Sequence, residues 1–147
     1  GALAGRMADH VANCLQWASR FTNPPAFIFA GLKPVATALQ NWPELAISMA
    51  STAELVGEAV DGLSGRTTVA YRDIPFCLPH LDPGHSLDLF HEQAAIDLTS
   101  GATRPAPLAR DRTFVAVCDR CQLRNWCPGI YQDYVALHGD KEFHPVG

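Results

Sequence analysis

Apolar residues recur near the start of the chain at Leu3, Met7, Val11, Cys14, Leu15 and Ala18, the spacing of one helix face. Polar His10, Asn13 and Gln16 fall between them, which predicts an amphipathic helix over residues 3–20. Phe21-Thr-Asn-Pro-Pro breaks it. Phe27-Ile-Phe then predicts the start of a buried strand, Pro34 to Gln40 a short helix, and Leu45 to Met49 another short apolar run. Ser51-Thr52-Ala-Glu54 combines a hydroxyl cap with an acid in the first turn, and Leu55, Val56, Ala59, Val60 and Leu63 follow on one face. This predicts a helix over 52–63, ended by Gly62 and Gly65. Residues 67–74 are β-prone and run into Pro75-Phe-Cys77. A helix followed by a strand that delivers a cysteine at its end has the shape of a βα-repeat edge.

Beyond Cys77 the texture changes. Pro79, Pro83, Gly84, Gly101, Pro105 and Pro107 punctuate a loop-rich stretch. Within it, Ser86 to Phe90 and Ala95 to Thr99 are the candidate strands of a hairpin. Thr113-Phe-Val-Ala-Val predicts a further strand that ends on Cys118. No internal repeat and no low-complexity tract interrupts the chain. The fold class expected is mixed α/β (α+β), with an α/β segment over residues 1–73 and a small irregular module over 74–147.

At 147 residues the chain has the size of one ordinary domain. With 48% hydrophobic and 18% charged residues it reads as globular and not as disordered. The net charge is −4 and the basic residues are scattered singly, which argues against nucleic acid as a partner. No apolar run reaches the roughly 18 residues a membrane-spanning helix needs, and residues 1–20 lack the features of a signal peptide. A cytoplasmic location is therefore expected. The chain begins with Gly1 inside a predicted helix, as a piece of a longer polypeptide would.

There are five cysteines, and an odd, clustered set does not read as a secreted disulfide scaffold. Cys118-Asp-Arg-Cys121-Gln-Leu-Arg-Asn-Trp-Cys127 brings three of them together as C-x2-C-x5-C, and Cys77 precedes them at the predicted strand end. Two thiolates separated by two residues face one centre from a tight turn. The third reaches the same centre if the segment between folds back. Four thiolates suit either a tetrathiolate zinc site or a 4Fe–4S cluster. Structural zinc sites usually pair two short knuckles, and only one is present here, which favours the cluster. His80, His85 and His91 lie near Cys77 and read as polar loop residues, with His80 an alternative ligand. Cys14 reads as a small apolar residue on a helix face.

The segment Cys118-x2-Cys121-x5-Cys127-Pro-Gly129-Ile-Tyr-Gln-Asp-Tyr134-x4-Gly139-x2-Glu142-x2-Pro145 resembles the C-terminal signature of radical S-adenosylmethionine enzymes that carry a SPASM or shorter twitch auxiliary domain. Ile74-Pro75-Phe76-Cys77-Leu78 is similar to that family's approach to its first auxiliary ligand. The resemblance covers residues 74–79 and 118–145, and is architectural only over 50–73. It implies that Cys77, Cys118, Cys121 and Cys127 bind one auxiliary 4Fe–4S cluster. It implies that Gly129 and Tyr134 form a turn and a C-terminal helix packing beneath that cluster, and that residues 1–73 are the last elements of a partial βα barrel. Tyr131 stands where the full SPASM pattern has another cysteine, so the shorter twitch form fits better. The C-x3-C-x2-C motif that binds and cleaves S-adenosylmethionine is absent from this sequence. The implied partner is an N-terminal radical S-adenosylmethionine core that supplies it, and the implied substrate is a peptide or another small molecule. The alternative is a stand-alone zinc or iron–sulfur module with a structural or protein-binding role.

Other chemistry has less behind it. Asp9, His10 and Cys14 lack any positioning motif for a cysteine hydrolase, and a helix face accounts for them. No Lys-Ser/Thr follows the glycines at 57, 62 and 65, so they form no phosphate loop. Asp82-Pro-Gly-His-Ser-Leu-Asp reads as a turn and not as a calcium loop. Trp126, beside Cys127, is placed either to shield the metal centre or simply to pack the module.

Overall fold

The computed structural model describes residues 2–34, 37–90, 94–96, 103–105 and 111–147. Helix and strand are mixed in an α+β arrangement with three small two-stranded sheets among the described residues. Helix α1 (Ala2–Ala18) leads to strand β1 (Phe27–Ala30). Two four-residue helices, α2 (Thr37–Gln40) and α3 (Trp42–Leu45), precede the long helix α4 (Met49–Leu63) and strand β2 (Val69–Arg72). Strands β1 and β2 pair in parallel, Phe27 opposite Val69 and Ala30 opposite Arg72, so the first half is one β–helix–β crossover unit.

Helix α4 begins earlier than its sequence predicts. Ser48, and not Ser51, is the N-cap, with its side chain accepting from the Ser51 amide at 3.0 Å. Two further acceptors from the far end of the chain satisfy the same helix start. The Met49 amide donates to the Tyr134 hydroxyl and the Ala50 amide to Glu142 Oε2, both at 2.7 Å. A local pattern cannot announce a cap whose acceptors lie some 85–92 residues away.

The module after Cys77 differs from its expected strands. Ser86 makes an isolated parallel bridge to Tyr71, and Leu87–Phe90 is a short helix, α5, where a strand was expected. The expected hairpin partner survives only in part. Strand β3 (Ala94–Ile96) pairs antiparallel with β4 (Thr103–Pro105), whereas residues 97–99 lie outside the described residues. Only Arg112–Thr113 is a strand, β5, in the region expected to run from Thr113 to Val117. It pairs antiparallel with β6 (Ile130–Tyr131), and helix α6 (Gln132–His138) follows directly. The C-terminal helix expected from the resemblance is therefore present, with Tyr134 buried on it.

One continuous core joins both halves. Val56, Val60 and Leu63 of α4, Val69 and Tyr71 of β2, and Ile130, Tyr131, Tyr134 and Phe143 of the C-terminal region belong to the same buried cluster. Gly57 lets the loop after Cys77 lie directly on α4, because a Cβ there would collide with the His80 carbonyl.

The parallel sheet is less well covered. Parallel strands are normally buried on both faces, yet Ile28 of β1 is 60% exposed. Trp17, Phe21 and Leu32 nearby are also exposed, and Trp17 rests against Phe21 and Phe27 with ring centroids 4.6 and 6.0 Å apart. Apolar area of this kind favours association. The isolated chain should therefore sediment as concentration-dependent oligomers, and Ile28→Lys should shift it towards monomer. Monomeric sedimentation of both proteins at high concentration would contradict this expectation.

Candidate metal centre

Cys77 leaves the end of β2 through Asp73-Ile-Pro-Phe, a tight buried segment. Asp73 takes a left-handed backbone, φ 63°, a region that Asp tolerates better than most residues, and this swings the chain away from the strand direction. Cys118 stands in a 3-10 turn, Ala116–Arg120, and not at a strand end as expected. Cys121 closes that turn, its amide donating to the Cys118 carbonyl at 3.1 Å.

The segment between Cys121 and Cys127 folds back as a chain of tight turns. The Arg124 amide reaches the Cys121 carbonyl at 3.3 Å, and the Trp126 and Cys127 amides reach the Leu123 carbonyl at 3.1 and 3.0 Å. The Gln122 amide donates to the Val146 carbonyl at 2.9 Å, which binds the end of the chain across this loop. Gly129, with φ 73°, then turns the backbone sharply into β6.

These turns bring all four candidate cysteines to one recess. Cys77, Cys118, Cys121 and Cys127 line it together, with Phe76, Phe114, Val117 and Leu123 among its apolar walls. Arg124 and His144 add the polar groups at its side. All four thiols are half-buried and none is in a disulfide. Yet no three Cys, His, Asp or Glu side chains among the described residues stand close enough to clasp a single ion.

Burial foremost, with negative charge on Cys127 and Cys118 adding to it, raises the Cys77 thiol to about 11. Burial likewise lifts Cys118 and Cys127 above the usual thiol range. Backbone hydrogen bonds oppose this at each sulfur: His144 at Cys77, Val115 at Cys118, and Phe76 and Gly129 at Cys127. Main chain thus supplies donors to three of the four sulfurs. A thiolate placed there is solvated by fixed dipoles, and the remaining cost of several buried negative charges calls for a cation.

A second buried cluster joins the segments that carry Cys77 and Cys127, and the sequence patterns did not single it out. Arg112, 8% exposed, donates through Nη1 to the carbonyls of Pro128 and Gly129 at 3.1 and 3.2 Å, directly after Cys127. Its Nη2 binds Asp73 Oδ1 and the Tyr131 hydroxyl, the latter at 2.7 Å, and its guanidinium lies 4.1 Å from the Tyr131 ring centroid. The Asp73 amide in turn donates to Asp88 Oδ2 at 2.6 Å, and burial raises the Asp88 carboxyl above its ordinary range. Arg112 therefore fixes the approach to Cys77 relative to the exit from Cys127.

The other candidates fall away from the recess. His80 is exposed, with φ 67°, and does not line it. His85 faces Asp82 at 3.5 Å, and His91 lies outside the described residues. Cys14 stays on α1 with its sulfur 3.9 Å from His10 Nε2. Trp126 is 55% exposed and is not among the residues that line the recess. The aromatic cover comes from Phe76 and Phe114 instead.

Comparison of the chain with protein-family models, curated proteins and solved structures finds no match.

Proposed function

We propose that Cys77, Cys118, Cys121 and Cys127 hold one auxiliary 4Fe–4S cluster. In this reading residues 74–147 are a twitch-like or SPASM-like auxiliary domain, and residues 1–73 are the last elements of a partial βα barrel in a radical S-adenosylmethionine enzyme. The observation that carries it is the convergence of four cysteines, from segments about 40 residues apart, on one recess.

The cysteine pattern favours a cluster over zinc. Structural zinc sites usually pair two short knuckles, whereas here Cys118-x2-Cys121 is joined by Cys127 at a longer spacing and by Cys77, which has no partner knuckle.

The crossover of β1 and β2 around α4 supports the barrel part of the reading, as does the uncovered sheet face at Ile28. Among the described residues no helix is long and apolar enough to cross a membrane. We place the protein in the cytoplasm, where clustered thiols stay reduced. S-adenosylmethionine would be bound by an N-terminal catalytic region, since this sequence has no C-x3-C-x2-C motif. A bound auxiliary cluster would supply one-electron transfer or an iron Lewis acid near the substrate, a peptide or another small molecule. This chain's part is to hold the cluster and exclude water with Phe76 and Phe114.

Anaerobic reconstitution with iron and sulfide tests the assignment. The protein should turn brown, with a broad sulfur-to-iron absorption band and equal amounts of bound iron and sulfide. A colourless protein that retains a single tightly bound zinc would instead make it a tetrathiolate zinc module with a structural or protein-binding role.

A further inference from the structure

We infer that Arg124 and Asp119 form an opposed charge pair beside the recess that sets the reduction potential of its cluster, Arg124 raising it and Asp119 lowering it. The inference rests on the cluster reading above. Arg124 lines the recess between Cys121 and Cys127, and its guanidinium carbon lies 5.1 Å from the ring centroid of Phe114, another wall residue. Its Nη1 is 3.0 Å from Asp119 Oδ1, and Asp119 adjoins Cys118 within the 3-10 turn. The pair thus sets a positive group on the wall of the recess and a negative group next to Cys118.

One-electron reduction adds a negative charge to the cluster. A fixed cation at the rim stabilises the reduced form more than the oxidised form, and a fixed anion does the opposite. Both side chains are well exposed, at 43% and 70%, so neither is needed to fill the core. Removing either should leave folding intact. Exposure also implies screening, so the effect should shrink as ionic strength rises.

The test is a dithionite titration of reconstituted protein, followed by absorption and electron paramagnetic resonance. Arg124→Gln should move the midpoint potential to more negative values, Asp119→Asn to more positive values, and Arg124→Lys should stay near the wild type. Both shifts should be smaller in high salt, with iron content and thermal melting unchanged. Shifts of the same sign, or no shift at normal iron content, would overturn the inference while leaving the cluster assignment standing. Loss of iron from Arg124→Gln would also overturn it, because the residue would then be holding the loop and not tuning the centre. A wild-type protein that binds no iron and sulfide would end the cluster reading and this inference together.

Discussion

Cys118→Ala protein should bind almost no iron and sulfide under conditions in which the wild type loads fully, and its C-terminal module should loosen. Cys118 belongs to the 3-10 turn that also presents Cys121, so on the proposed reading its loss removes one of the four ligands while the backbone bond that closes the turn remains. Binding of a structural metal contributes roughly 10–16 kcal/mol in small zinc modules. A domain of ordinary stability has only about 5–15 kcal/mol in total. Holo wild-type protein should therefore show much slower amide exchange over residues 111–147 than the Cys118→Ala protein. Cys14→Ala supplies the control. Its thiol lies on α1 beside His10, outside the recess, so iron content and exchange should match the wild type. Undiminished iron in Cys118→Ala would rule out this cysteine as a ligand.

The parts legible in the sequence were those governed by local periodicity or local spacing. Helix α1, strand β1, most of helix α4 and strand β2 follow from apolar spacing, and the structure bears them out with shifted ends. The recess was legible because C-x2-C-x5-C is itself a local geometry. What escaped was decided by distant partners. Ser86 pairs with Tyr71 across a loop, and Leu87–Phe90 then coils, although the same residues suit a strand by composition. Thr113-Phe-Val-Ala-Val is β-prone, yet its strand ends at Thr113 because β6 offers only Ile130 and Tyr131 as partners. Arg112 carried no mark beyond sitting next to that β-prone run. Its four acceptors come from Asp73, Pro128, Gly129 and Tyr131, 16 to 39 positions away.

That buried network leads to the second large effect. Arg112→Leu should destabilise the metal-free protein by about 3–5 kcal/mol, the usual cost of removing one partner from a buried ion pair. The loss falls in two places. Among the described residues the Asp73 carboxylate, 10% exposed, then keeps the hydrogen bond from Arg72 Nε at 3.1 Å, and Arg72 is half-exposed and a weak substitute. The Pro128 and Gly129 carbonyls lose their donor just after Cys127. Asp73→Asn should cost less, because it keeps the shape and can still accept from the guanidinium. The double variant Arg112→Leu with Asp73→Asn should fall short of the sum of the two, since each change removes the same pairing. Urea unfolding of the four proteins measures this directly. The ligand geometry should suffer too: with Arg112 gone, the approach to Cys77 is no longer held against the exit from Cys127, and reconstituted iron should fall alongside stability. If Arg112→Leu costs under about 1 kcal/mol, the charge pair contributes little beyond its replacement by apolar packing, an outcome known for other buried ion pairs. Cys77 and Cys127 would then owe their placement to the turn at Gly129 and the left-handed backbone at Asp73 alone.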